Sequence, residues 1–158
     1  MKIRQLACYV GLTWVLLACA STEFSIPAVT GSTDGARQPG KIIWHDLLTD
    51  TPAATRAFYA GLFGWEFQAL DGNNYTLIKH RGELIGGMVD QNQLPAEADI
   101  SQWVALFSVS DVALATRRVR EAGGTVFTPP TSLGERGTIA VVADPQGAVL
   151  ALLETRYG

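Results

Sequence analysis

TPAATRAFYAGLFGW (residues 51–65) and SDVALATRRVREAGGTVF (residues 110–127) decide the fold. In the first, Thr51 is placed to cap a helix and Pro52 to occupy its first turn, where the missing N–H costs nothing. Gly64 stands where a helix wants a left-handed residue to stop. Ala54, Phe58 and Leu62 fall four apart, predicting one buried stripe joined by Phe63 beside Tyr59. In the second, Ser110 is placed to cap a helix through Ala122, with Val112, Ala115, Val119 and Ala122 as its apolar stripe and Gly123-Gly124 as its stop. Sliding the chain by 60 residues lays Gly64 on Gly124 and Phe67 on Phe127. The two stretches are one unit written twice.

Working outward, strands are predicted at Lys41–Leu48, Trp65–Ala69, Tyr75–Lys79 and Leu84–Val89. Their counterparts lie at Gln102–Val109, Thr125–Phe127, Thr138–Ala143 and Ala148–Glu154. Asp71-Gly72-Asn73-Asn74 reads as a turn. Asp90–Ile100, with Leu94-Pro95, links the halves. The folded domain therefore spans 41–157, as modules 41–90 and 101–157 of strand, helix and three strands. Neither module buries its sheet face alone. The expected fold is α+β: two βαβββ modules forming a curved, eight-stranded mixed sheet, a cup with helices outside. A homodimer stays open.

The chain has 158 residues, with 12 basic against 15 acidic side chains. No positive surplus exists to neutralise phosphates, which excludes nucleic acid as the expected partner. Two cysteines, Cys8 and Cys19, exclude a disulfide framework and a thiolate zinc cluster. Lys2 and Arg4 precede an uncharged run from Leu6 to Ala20, short for a bilayer-spanning helix and suited to a secretory signal, with an uncleaved N-terminal anchor or an ordinary signal cut nearby as the alternatives. It ends Leu16-Leu17-Ala18-Cys19, which resembles the lipobox of bacterial lipoproteins. That resemblance implies a signal peptide over 1–18, cleavage before Cys19, acylation of Cys19 and lasting attachment to the bilayer. Residues 19–40, rich in Ser, Thr, Gly and Pro after the cysteine, read as a flexible tether. The expected location is the bacterial cell envelope, facing the periplasm. Ala20, where many inner-membrane lipoproteins carry aspartate, makes the outer membrane the favoured side.

Three motifs carry a second resemblance. Trp44-His45-Asp46-Leu47, then Phe58-Tyr59 with Leu62-Phe63-Gly64-Trp65, and later Val109-Ser110-Asp111-Val112 with Asp144-Pro145-Gln146-Gly147, are similar to the vicinal-oxygen-chelate superfamily of glyoxalases, bleomycin-resistance proteins and extradiol dioxygenases. The resemblance covers Lys41 to about Arg156. It implies the cup fold and, in catalytic members, one divalent ion held by His, Gln or Glu from four positions. Carried over by spacing from Phe58, Asp111 and Asp144, those positions are Trp44, Val104 and Ala151, with Gly87 as the fourth. None of the four side chains offers a metal an oxygen or imidazole, and the indole N–H is a donor only. His45 lies one residue off, and strand alternation turns it to the opposite face; it stays as a weak metal candidate. His80 reads as a solvated loop residue and Glu154 as an exposed strand-end acid.

The remaining cup is lined by Trp44, Leu48, Val104 and Leu106, with Met88 as a further candidate. Asp46 is its one inward carboxylate, to be hydrogen-bonded or raised in pKa by desolvation. Arg136, between Gly134 and Gly137, lies at the mouth, either as a solvated loop cation or as a partner for an anionic ligand. The favoured expectation is a metal-independent cup that binds a small amphipathic or aromatic molecule, as the bleomycin-resistance resemblance implies, with no cofactor. The alternative is a lyase- or dioxygenase-type enzyme, metal-dependent through a shifted site or acid–base through Asp46. A scaffold with an unused cavity is the third reading.

Overall fold

The computed structural model describes residues 38–70, 75–94 and 101–155. The signal, Cys19, most of the tether, the turn at 71–74 and the linker from Pro95 to Ile100 lie outside the described residues. The first module is β1 (Ile42–Thr49), α1 (Pro52–Phe63), β2 (Glu66–Ala69), β3 (Tyr75–His80) and β4 (Glu83–Asp90). The second is β5 (Gln102–Ser108), α2 (Val112–Glu121), β6 (Thr125–Ser132), β7 (Thr138–Ala143) and β8 (Val149–Glu154). One eight-stranded sheet results, in the order β2-β3-β4-β1-β5-β8-β7-β6. β1 runs parallel to β4 and β5 parallel to β8, while β1 and β5 meet antiparallel and join the modules. The expected α+β cup is the architecture found.

Side-chain alternation splits the core into layers. Leu152, Ala140 and Val142 pack with Val112 beneath α2. Leu47, Ile78 and Met88 pack on the opposite flank with Tyr59, Trp65 and Phe67. The face away from the helices carries Trp44, Val104, Leu106 and Ala151, with Leu48, Ile139, Val149 and Leu153 against them. Met88 is therefore not a cup residue: it pairs in register with Leu47, whose side chain points away from Asp46 and Leu48.

Four local expectations change. β6 runs on through Pro129-Pro130 to Ser132 rather than ending at Phe127. It is an edge strand with register shifts between Val126 and Thr131, where missing donors are tolerated. Asp111, not Ser110, caps α2, its carboxylate accepting from the Leu114 amide at 2.7 Å. Glu154 is no idle acid: its Oε2 accepts from the Val112 amide at 3.1 Å, so β8 supplies a second anion to that helix end.

The fourth change is the largest. Ala54, Phe58 and Leu62 face outward, with Phe58 61% and Leu62 56% exposed, and no residue of α1 is fully buried. The inward stripe is Pro52, Thr55 and Tyr59. Thr55 Oγ1 and Thr49 Oγ1 share a hydrogen bond of 2.8 Å. Tyr59 stacks on Trp65 at 5.2 Å and accepts from the Trp103 indole at 3.1 Å. Aromatic plates and hydroxyl pairs, rather than the most apolar arc, seat this helix. Gly64 ends it at φ 68°.

Candidate functional site

β1 delivers Trp44, Asp46 and Leu48 to the concave face by simple alternation. Across the sheet Trp44 pairs with Leu106, which pairs with Ala151; Asp46 pairs with Val104 on one side and Gly87 on the other. The four positions Trp44, Gly87, Val104 and Ala151 thus cluster around one point of the cup. What fills that point comes from β3. Tyr75 donates its hydroxyl to Asp46 Oδ1 at 2.6 Å, and the Trp44 indole N–H reaches both Asp46 Oδ1, at 3.0 Å, and the Tyr75 oxygen, at 2.8 Å.

Gly87 makes room for this trio. A β-carbon there would overlap the Tyr75 hydroxyl and ring and the Asp46 carboxylate. Burial pushes the Asp46 carboxyl up to about 6, against the pull of the Tyr75 and Trp44 hydrogen bonds and the Arg136 charge. Tyr75 is raised far above the usual phenol range, first by burial and then by the negative charge of Asp46. The proton therefore stays on the tyrosine.

Arg136 stands half-buried with its guanidinium 5.9 Å above the Tyr75 ring, so it is not a solvated loop cation. It arrives from the 3₁₀ turn Gly134–Arg136 between β6 and β7, at the far end of the sheet order from β3. This contact spans the modules across the cup. The site is therefore an apolar floor of Leu48, Val104, Leu106 and Ala151 with one polar pole: Trp44, Asp46, Tyr75 and Arg136.

His45 is offset from Trp44 and Asp46 on β1, paired with Ala105. His80 ends β3 half-buried, with its Nδ1 buried and unpartnered among the described residues, so it too is not a solvated loop side chain. No group of three His, Cys, Asp or Glu suited to a metal ion occurs among the described residues. Among the described residues Asp46 is the carboxylate at the centre of the cup, its Oδ1 is engaged by an indole and a phenol, and that donor set does not match a divalent cation's need for several converging ligands. No helix among the described residues is long and apolar enough to cross a membrane.

Sequence reading missed Tyr75 as a site residue. The available signal was alternation: Tyr75 and Leu77 share a face of β3, and Leu77 pairs with Gly87.

Comparison with known proteins agrees with this architecture. Residues 41–152 match the family model described as the Glyoxalase/Bleomycin resistance protein/Dioxygenase superfamily. CFP32 of Mycobacterium tuberculosis, provisionally named a glyoxylase, is 31% identical over 120 residues, covering 74% of this chain and 45% of that protein. The anthracycline biosynthesis protein DauV of a Streptomyces species is 32% identical over 133 residues, covering 72% of this chain and 46% of its own length. The chain thus spans about half the length of the curated relatives it matches. Among solved structures, the Mn(II)-bound glyoxalase of Novosphingobium aromaticivorans superposes with a TM-score of 0.51 at 18% identity, over 77% of this chain and 41% of that one.

Proposed function

This chain belongs to the glyoxalase/bleomycin resistance protein/dioxygenase superfamily, and we propose that within it the domain binds a small amphipathic or aromatic molecule without a metal ion. The observation that carries this reading is the trio of Trp44, Asp46 and Tyr75 closed over Gly87. The four positions from which catalytic relatives would hold a cation are Trp, Gly, Val and Ala, and the space beside them is taken by an indole, a phenol and a carboxylate. An apolar floor next to a few convergent polar groups is the general form of a small-molecule site. Leu48, Val104 and Leu106 would hold the ligand's apolar body. Asp46 would take a donor and Arg136 an anionic group.

The test uses 2-naphthoate, an aromatic carboxylate, with the Trp44 indole N–H followed by nuclear magnetic resonance. Saturable, one-to-one movement of that resonance, lost in Arg136→Ala, is the expected result. No movement of Trp44 at millimolar 2-naphthoate would end this reading.

One observation favours acid–base chemistry as the second reading. A carboxyl held near 6 is poised to take a proton at neutral pH. Asp46→Asn would then keep binding and lose turnover, whereas a pure binding site has no turnover to lose.

We further infer that the domain is held at the envelope by acylated Cys19, most favourably on the outer membrane. The charged start, apolar run and Ala18-Cys19 junction support it. Labelling with a palmitate analogue, and loss of both label and membrane fractionation in Cys19→Ser, checks it.

A further inference from the structure

We propose that the outer face of α2 docks on anionic lipid headgroups, so that the anchored domain rests on its second module with the cup turned to the water. This rests on the reading of Cys19 as an acylated anchor. Charge supplies the first observation. Arg117, Arg118 and Arg120 are three of the eight Lys and Arg side chains among the described residues, and the other five are spread over both modules among ten acids. All three are exposed, and none is paired with a carboxylate among the described residues. At about 100° per residue, Arg118 stands about 100° to one side of Arg117 and Arg120 about 60° to the other. They rise from one half of the helix, and the buried Val112 and Thr116 take the other. Glu121 is the helix's single acid.

The path of the chain supplies the second. The Gly40 amide donates to the Ser108 carbonyl at 2.8 Å, which fixes the peptide before β1 beside the entry to α2. Pro39 then lines a groove with Leu114, Arg118, Val119 and Ala122. The peptide that leads back to Cys19 thus leaves the described domain on the flank that carries Arg118. Cys19 lies 20 residues before Pro39. A surface joined through so short a stretch is met at millimolar effective concentration. A nucleic acid or an acidic protein would suit the same guanidinium groups, but the bilayer is the anion that the anchor holds beside them. Each arginine near an anionic leaflet favours the docked state roughly fivefold, so three arginines less one glutamate favour it about twenty-five-fold. α2 exposes alanine and charged side chains with no bulky apolar group, so the contact is electrostatic rather than inserted, and salt screens it. The core beneath α2 and the cup floor lie on opposite faces of the sheet. Docking through α2 therefore keeps the mouth clear of the bilayer, and a ligand reaches Asp46 and Arg136 from the aqueous side.

Nitroxide-headgroup vesicles read the docking through quenching of a bimane label, placed on the acylated full chain by Ala113→Cys in α2 or by Glu83→Cys at the start of β4. With about 30% phosphatidylglycerol, quenching at position 113 is expected to exceed that at position 83 by about threefold or more. In phosphatidylcholine alone, or at about 0.5 M NaCl, the two positions should quench alike. Arg117→Gln/Arg118→Gln/Arg120→Gln should abolish the difference. Glu121→Gln should shift half-maximal quenching to a lower phosphatidylglycerol content, a gain that loss of structure cannot produce. Equal quenching at both positions in anionic vesicles, from a chain that floats with them, overturns the docking and leaves the anchor standing. A difference that survives salt or the triple variant overturns it too. A chain that floats with neither kind of vesicle overturns the anchor reading and the docking together.

Discussion

The two modules share a backbone plan and divide the labour. At twin positions of β1 and β5, Trp44 and Asp46 in the first module face Val104 and Leu106 in the second. Both pairs look into the same cup, yet one is polar and hydrogen-bonded while the other is floor. The helices differ in the same sense. α2 is capped by Asp111 and Glu154 and packs over β6, β7 and β8. α1 has no side-chain cap and is seated by Tyr59 and Thr55. The second module supplies the apolar floor and the doubly capped helix, and the first carries the groups that are costly to bury. That is the pattern expected when function is drawn from one half of a repeat.

Substitutions can break or sharpen this contrast. Gly87→Ala has the largest expected effect, a destabilisation of about 3 kcal/mol in denaturant unfolding, because a methyl group there overlaps the Tyr75 hydroxyl and the Asp46 carboxylate. Next is Asp46→Asn, which makes the first module more like the second. The Asp46 carboxyl is raised from 3.8 to about 6 in the folded chain, so the native state holds its proton more tightly than the unfolded state does. The stability this gives is fully present below pH 3.8 and is lost as pH rises through about 6. Relative to wild type, Asp46→Asn is therefore expected to be more stable at pH 8 by on the order of 2 kcal/mol, with the difference vanishing near pH 4. A variant less stable at pH 8 would show that the carboxylate is a structural asset. The smallest effect compares the caps. Asp111→Ala should cost about 1 kcal/mol by thermal unfolding, and Thr51→Ala a few tenths at most.

Much of the plan was legible. Gly64, the 60-residue offset and the alternation of β1 put the helices, the module repeat and Asp46 close to where they lie. Two kinds of information were not local. Tyr75 meets Asp46 across 29 residues and an intervening strand, and only the register of β3 on β4 brings them together. The inward arc of α1 departs from its apolar pattern, because apolarity alone does not decide burial there. Tyr59 and Thr55 win that face through stacking and hydroxyl bonding, which a hydrophobic pattern does not register. Asp111 displaced Ser110 as cap for a similar reason: both residue types cap well, and one residue of phase decided between them.

The claim on which the functional reading stands is that this cup takes its ligand without a metal. Calorimetric titration of the purified chain with 2-naphthoate, run with and without a chelator, and with Ni²⁺, Mn²⁺ and Zn²⁺ in turn, puts it to the test. One naphthoate per chain, at the same affinity in chelator, and no stoichiometric heat from any of the ions is the result predicted. One tightly bound ion per chain, abolished by Asp46→Asn or His45→Ala and required for naphthoate to bind, would contradict it.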